Sequence, residues 1–122
     1  MAQNTHAFFA THLGNKVSSE MTEWTLRTRL DCSAEAAVEA VRIGASTDLR
    51  KESAVLPVPA LIIHGDADAS APVHLCGRRM AELVPDNVYK EYPGAGHGLF
   101  ITHADQLNQD LIDFIGADAA PV

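Results

Sequence analysis

Two loops of this chain carry side chains suited to acid–base chemistry. Residues 64–68 read His-Gly-Asp-Ala-Asp after the apolar run at 60–63, and residues 94–98 read Gly-Ala-Gly-His-Gly after an alternating run at 88–92. Open α/β sheets place their active sites at the carboxyl ends of strands. An aspartate after one parallel strand and a histidine after the next is the order of the last two members of a Ser…Asp…His triad. The sequence therefore predicts that His97 pairs with an aspartate of the first loop.

Two aspartates of the first loop compete for the role of the acid. The acid of a triad must accept the Nδ1 proton of the imidazole, which fixes the tautomer and stabilises the imidazolium. Asp68 can do this if its loop reaches across to His97. Asp66 lies two residues nearer the end of the strand, where an aspartate commonly caps the turn through its own backbone contacts. The spacing of the residues alone leaves this choice open.

No serine of the 122 residues stands in the frame that the nucleophile of such a triad requires. That frame is Gly-x-Ser-x-Gly at a tight strand-to-helix turn, where the glycines let the backbone crowd the serine. Ser70 lies two residues from Asp68 in the same loop, so it cannot face the acid across an imidazole. The other five serines are better explained as helix caps or surface residues: Ser18, Ser19, Ser33, Ser46 and Ser53. We therefore expect the 122 residues alone to lack the nucleophile.

Composition describes a globular chain of one-domain size, with 47% apolar and 20% charged residues. A formal charge of −7 argues against a nucleic-acid partner, and the nine Lys and Arg form no cluster longer than Arg78-Arg79. No apolar run approaches the length that crosses a bilayer, so we expect no membrane partner. The two cysteines follow no disulfide or metal-binding pattern. A cytoplasmic protein with reduced thiols is therefore expected.

Helical spacing of apolar residues dominates the front of the chain. A helix is predicted within 17–30, with Ser18 or Ser19 near its start. Ser33 is the predicted cap of a second helix, whose apolar residues recur at i, i+3, i+4 and i+7 before a stop at Gly44. The front of the chain is therefore predicted to be helical after its first fifteen or so residues, which lack clear periodicity.

After Pro57 the pattern changes to that of a parallel α/β sheet. The run at 60–63 is apolar on both faces, as a strand covered by helices on both sides must be. The predicted elements of this part are a strand at 60–63, a helix at 73–84, a strand at 88–92 and a helix at 104–115 with its stop at Gly116. The compositional boundary therefore divides a helical segment, residues 1–56, from an α/β segment, residues 57–122.

Three strings of the second segment carry a family resemblance: PALIIHGDAD at 59–68, AELVP at 81–85 and HGLFITH at 97–103. With them, residues 57–115 resemble the C-terminal part of the cofactor-free haloperoxidase and arylesterase branch of the α/β-hydrolases. The resemblance implies an α/β fold, namely the C-terminal portion of an α/β-hydrolase with a helical cap segment followed by β-α-β-α of a parallel sheet. It further implies that Asp68 is the triad acid, that His97 is the triad histidine, and that no cofactor is needed.

The front segment resembles the helical cap that such hydrolases insert over the active site. Caps supply apolar walls for the acyl or alcohol portion of the substrate. The resemblance therefore makes Trp24 and Met21 candidate substrate-binding residues, with Leu26 and Phe8 as further candidates. For any one of these side chains, packing against the sheet segment is the competing explanation.

A metal site is a rival interpretation of the same loops. His64, Asp66 and Asp68 alternate, and together with His97 they could imitate a set of metal ligands. Nothing else in the sequence supplies a dedicated site, and the branch that the chain resembles is metal-free. We therefore expect no metal.

The resemblance covers about the last half of a single-domain hydrolase. It omits the early strands, the oxyanion-hole turn and the nucleophile elbow, which form the acyl-enzyme and stabilise its intermediates. We therefore expect a truncated serine hydrolase, inactive alone, that acts on a small carboxylic ester with perhydrolase or haloperoxidase side activity once the missing half is supplied. The alternative is a non-catalytic association protein derived from a hydrolase. A central strand without its neighbours also predicts self-association.

Overall fold

The structure, a computed structural model, describes residues 17–118. Within these residues the order of elements is helical first and then strand, helix, strand, helix, which confirms the predicted α/β class. A short helix between the second strand and the last long helix was not predicted. The elements are α1 Ser19–Leu30, α2 Ala34–Ser46, α3 Arg50–Ser53, β1 Ala60–Gly65, α4 Gly77–Leu83, β2 Asn87–Tyr92, α5 Leu99–Thr102 and α6 Ala104–Asp118.

Serine caps begin the first two helices. The Oγ of Ser18 accepts the N–H of Met21 at 3.2 Å, so Ser18 rather than Ser19 is the cap of α1. The Oγ of Ser33 accepts the N–H of Ala36 at 3.1 Å, as predicted for α2. Each cap pairs a backbone N–H group that has no partner within the first turn of its helix.

The C-terminal end of α2 differs from its prediction. The expected stop at Gly44 is wrong, because the helix continues to Ser46. The expected stop at Gly116 is wrong in the same way, because α6 continues to Asp118. Gly44 does not adopt the left-handed conformation of a terminating glycine. A glycine inside a helix costs only about 1 kcal/mol relative to alanine, so the surrounding residues can carry the helix through it.

The two strands form a parallel pair whose register runs from Ala60 opposite Asn87 to Gly65 opposite Tyr92. Helix α4 joins them and packs against both. It begins at Gly77, four residues later than predicted from Val73, because residues 72–76 first form a turn. Within the described residues the outer edge of β1 has no strand partner.

Helix α6 lies on the sheet face opposite α4. Lys90 and Tyr92 of β2 both bond to Asp110 of α6, and they alternate along the strand with Glu91, which pairs with Arg78 of α4. Burial, followed by the bond to Asp110, raises the pKa of Tyr92 to about 12. Helices on both faces explain why β1 is apolar on both sides.

Packing is concentrated in the α/β segment. Four apolar side chains there are buried: Val73, Val84, Tyr92 and Ala95. Neither α1 nor α2 packs extensively against another described element, and the apolar face of α2 stays open, with Val38 and Val41 68% and 73% exposed. No helix between residues 17 and 118 has the length and apolar character needed to cross a membrane.

Candidate active site

The loops that leave β1 and β2 lie directly against each other. The N–H of Ala67 donates to the carbonyl of Ala95 at 3.0 Å, and the N–H of Asp66 donates to the carbonyl of Tyr92 at 3.2 Å. At Gly65 a Cβ atom would lie 2.2 Å from the carbonyl oxygen of Ala95. Glycine at this position therefore lets the two strand ends approach closely enough for the loops to share hydrogen bonds.

A tight turn opens the loop that carries the histidine. The N–H of Ala95 donates to the carbonyl of Tyr92 at 3.2 Å, across Pro93 and Gly94. Gly94 has a φ of 70°, which matches a type II turn with proline in the second position and glycine in the third. The Oδ1 of Asp66 accepts the N–H of Gly94 at 2.6 Å. Asp66 therefore joins the two loops, through the backbone of the opposite loop rather than its own.

Asp68, not Asp66, faces the imidazole of His97. The Oδ2 atom of Asp68 lies 2.8 Å from Nδ1 of His97. Its Oδ1 atom accepts the N–H groups of Ser70 at 2.8 Å and Ala71 at 2.9 Å. The carboxylate is thus fixed through both oxygens, and the side chain is only 5% exposed. Of the two aspartates between which the spacing could not choose, Asp68 is the one that contacts the imidazole, and Asp66 contacts the backbone of Gly94.

Opposing influences set the charge of Asp68. Burial raises its pKa, but the N–H of Ala71, the imidazole of His97 and the N–H of Ser70 together outweigh burial, so the pKa lies below its ordinary value. The side chain is therefore ionised in neutral solution and can only accept hydrogen bonds. Because Asp68 accepts, Nδ1 of His97 must carry the proton that joins them.

The His97 side chain is 52% exposed. Nε2 is the ring nitrogen that does not face Asp68. In the neutral imidazole the proton on Nδ1 leaves a lone pair on Nε2. No residue within 17–118 forms a hydrogen bond with that Nε2 atom. An imidazole in this tautomer can take a proton at Nε2 while the carboxylate stabilises the resulting imidazolium. The pair is arranged as the acid and base of a nucleophilic triad would be.

A second histidine, His64, lies beside the same carboxylate. Its Nε2 atom is 2.8 Å from the carbonyl oxygen of Ala71 and 3.5 Å from Oδ2 of Asp68. The sequence suggested His64 only as a rival metal ligand. Its i, i+4 spacing from Asp68 gave no signal of this contact, because that spacing brings side chains together in a helix and His64 lies in β1. Over residues 17–118, no group of three or more His, Cys, Asp or Glu side chains is arranged to hold a metal ion.

The candidate substrate-binding residues, Trp24 and Met21, lie on α1. Their side chains are 60% and 36% exposed. An open cavity of about 900 Å³ is lined by residues of α3, β1, α4 and the turn before α4, and neither Trp24 nor Met21 is among them. Leu26 of the same helix is partly buried, and Phe8 lies outside the described residues. Trp24 and Met21 therefore do not line that cavity.

No family model matches the chain, but it is similar to several curated proteins. It is 29% identical over 110 residues to a non-heme chloroperoxidase from Kitasatospora aureofaciens. It is 33% identical over 102 residues to a bifunctional esterase/perhydrolase from Acinetobacter calcoaceticus. The matches cover 88% and 84% of this chain but only 40% and 37% of the relatives. The chain thus spans about two fifths of the length of these relatives.

Solved structures agree with the sequence relatives. A bromoperoxidase from Bacillus anthracis matches 93% of this chain with a TM-score of 0.85 and 26% identity, and the match covers 43% of the bromoperoxidase chain. These similarities confirm the predicted resemblance to non-heme haloperoxidases and esterases of the α/β-hydrolase fold. The chain therefore has the fold of the C-terminal portion of an α/β-hydrolase, and its relatives lie in the non-heme haloperoxidase and esterase branch of that family.

Proposed function

We propose that Asp68 and His97 are the acid and the base of a serine hydrolase that cleaves small carboxylic esters. One observation carries the proposal: the 2.8 Å contact between Oδ2 of Asp68 and Nδ1 of His97, with Nε2 left open. The similarity to an esterase/perhydrolase supports ester cleavage with perhydrolase or haloperoxidase side activity. The pair needs neither a metal nor an organic cofactor for this chemistry.

In the proposed reaction the proton moves through Nε2 of His97. Nε2 takes the proton of a serine hydroxyl while the serine oxygen attacks the ester carbonyl, and Asp68 stabilises the imidazolium. The imidazolium then gives the proton to the departing alkoxide, which leaves as the alcohol. A water molecule deacylates the serine by the same route. His97 thus ends each cycle neutral, with its Nδ1 proton still bonded to Asp68.

The nucleophile and the oxyanion hole are proposed to come from residues outside these 122. The chain spans about two fifths of its relatives, and its serines stand in no Gly-x-Ser-x-Gly frame. An imidazole with no hydroxyl to deprotonate and no oxyanion hole retains little of the rate advantage of a triad. The 122-residue chain alone is therefore proposed to be inactive on esters.

Within this function, residues 1–56 are proposed to form the cap over the active site and residues 57–122 to form the part of the core that holds the pair. Trp24 and Met21 would then line the acyl or alcohol side of the substrate pocket. Their exposure of 60% and 36% supports this role, because both side chains have apolar surface left to cover.

The proposed partners are a small ester and further copies of this chain, not nucleic acid or a membrane. Within residues 17–118 the outer edge of β1 has no strand partner and the apolar face of α2 is open, and both features support self-association. A cytoplasmic location is proposed because Cys32 and Cys76 are both free and exposed thiols. If the chain self-associates and shows no ester hydrolysis either alone or fused to the missing part of a hydrolase, it is the non-catalytic association protein instead.

Ester hydrolysis tests the proposal in two settings. The chain alone should hydrolyse a chromogenic acetate ester no faster than its His97→Ala variant does. In the second setting, the part of the Bacillus anthracis bromoperoxidase that this chain does not match is fused to the N-terminus of this chain to give a chimera. We expect the chimera to hydrolyse the ester, and we expect His97→Ala or Asp68→Asn to reduce its kcat by at least about 10³-fold.

His74→Ala is the matched control, because His74 is an exposed histidine of the same segment. Its kcat should stay within about twofold of the parent chimera, as expected for a surface residue. Turnover by the chain alone that disappears in His97→Ala would contradict the proposed inactivity. An active chimera that tolerates both His97→Ala and Asp68→Asn would contradict the proposed acid and base.

A further inference from the structure

His64 has no step in the proposed reaction, which uses only Asp68 and His97 of this chain. It is the fifth residue of β1, and its side chain is 14% exposed. Its Nε2 atom lies 2.8 Å from the carbonyl oxygen of Ala71. A carbonyl can only accept a hydrogen bond, so Nε2 must carry a proton and donate it. The contact thus joins the end of β1 to the far end of the acid loop.

Ala71 is the residue through which this contact reaches the acid. Its carbonyl accepts from His64 at 2.8 Å, and its N–H donates to Oδ1 of Asp68 at 2.9 Å. The other oxygen of Asp68 lies 2.8 Å from Nδ1 of His97. Four groups are therefore joined in sequence: His64, Ala71, Asp68 and His97. A shift of Ala71 would move the N–H that fixes the rotation of the carboxylate.

The imidazole of His64 is itself held in place. At Gly77, the first residue of α4, a Cβ atom would lie 2.7 Å from Cβ of His64 and 2.8 Å from its Nδ1. The backbone of α4 therefore packs closely against one side of the ring. The ring lies between the start of this helix and the acid loop, and it has little freedom to swing away from Ala71.

We propose that His64 is a positioning residue, whose Nε2–H holds the Ala71 carbonyl and thereby keeps the Asp68 carboxylate aligned on Nδ1 of His97. The inference rests on the proposed function for the roles of Asp68 and His97. His64 does not act on the substrate or transfer a proton. The distance of 3.5 Å between Nε2 of His64 and Oδ2 of Asp68 is too long for a hydrogen bond. Among the described side chains, only His97 therefore forms a hydrogen bond with Oδ2 of Asp68.

Imidazole NMR of the 122-residue chain tests this role without any enzymatic activity. The signal of the His97 Nδ1 proton is identified by its loss in His97→Ala, and its exchange rate with solvent reports how well Asp68 holds it. His64→Leu removes the donor and should speed this exchange at least tenfold. His64→Gln places an amide N–H near the position of Nε2, so it should keep the exchange within twofold of the unmodified chain.

Two further variants keep the test decisive. His74→Leu removes an exposed histidine near the acid loop and should change nothing. If His64→Leu fails to fold, His64→Asn replaces it, because its shorter amide cannot reach Ala71; exchange should then be fast in His64→Asn and slow in His64→Gln. Slow exchange in His64→Leu, or in a folded His64→Asn, would overturn the positioning role. Equally fast exchange in His64→Gln would also overturn it. A missing Nδ1 signal in the unmodified chain would instead refute the proposed pair itself.

Discussion

Gly65→Ala places one methyl group at the junction of the two loops that carry Asp68 and His97. The new Cβ would lie 2.2 Å from the carbonyl oxygen of Ala95 and 2.6 Å from its carbonyl carbon. Both obstacles are backbone atoms, so no side-chain rotation can relieve the clash. The strand ends must separate by about 1 Å to restore an ordinary contact of about 3.3 Å between carbon and oxygen. That separation breaks the bond between the Ala67 N–H and the Ala95 carbonyl.

The expected loss of stability follows from these two effects. Forcing a methyl group into a closely packed site costs about 1 to 3 kcal/mol, and losing one backbone hydrogen bond adds about 1 kcal/mol. Gly65→Ala should therefore reduce the free energy of unfolding by about 2 to 4 kcal/mol. At about 4 °C for each kcal/mol in a chain of this size, Tm should fall by about 8 to 16 °C.

Thermal and urea unfolding, followed by circular dichroism, measure the effect. Gly44→Ala is the matched control, since a Cβ there meets nothing within 4 Å and the residue lies inside α2. Alanine should stabilise this helix by about 0.5 to 1 kcal/mol. The same chemical change thus has opposite signs at the two glycines. If Gly65→Ala leaves Tm within about 2 °C of the parent chain, the close approach of the loops is not a feature of the folded protein.

Two further predictions concern the sheet. Arg78 and then Tyr89 lower the pKa of Glu91 from 4.5 to about 2, so this stabilisation is complete above pH 4.5 and disappears as pH falls towards 2. Arg78→Ala should therefore lower the urea midpoint at pH 7, and its difference from the parent chain should shrink steadily as pH falls below 4.5. A difference in midpoint that stays constant down to pH 2 would contradict the role of this ion pair. Sedimentation should show a dimer or larger species, because the outer edge of β1 is unpaired within residues 17–118 and the apolar face of α2 is open; a compact monomer at every concentration would refute self-association.

The periodic elements were the part of the fold that the sequence could predict. Apolar residues on both faces of β1 and proline before it are local signals, and both strands appear within two residues of their expected bounds. The start of α4 was missed, because the turn at residues 72–76 shares the apolar spacing of the helix that follows. The role of Gly44 was predicted wrongly because the sequence shows where a glycine lies but not its φ angle. Only the φ angle distinguishes a glycine that ends a helix from one inside it.

The candidate site was predictable in its residues but not in its connections. His97 and the two aspartates follow from their place after parallel strands, yet Asp66 and Asp68 have the same chemistry and nearly the same position. Only the path of the loop shows that Asp66 bonds the backbone of Gly94 while Asp68 bonds the imidazole. His64 was overlooked as a positioning residue because its partner is a carbonyl, and a sequence does not show where a carbonyl points.

The Asp68–His97 pair and the residues proposed to bind substrate lie in different ranges of the chain. Every contact that fixes Asp68 on His97 comes from residues 64–97, within two adjacent strands and the loops that leave them. The pair can therefore form without the rest of a hydrolase. Trp24 and Met21 lie on a helix that packs extensively against no other described element, so residues 17–118 do not fix their position relative to the pair. It follows that the pair can be tested in this chain alone, whereas the proposed role of Trp24 and Met21 is tested in the chimera.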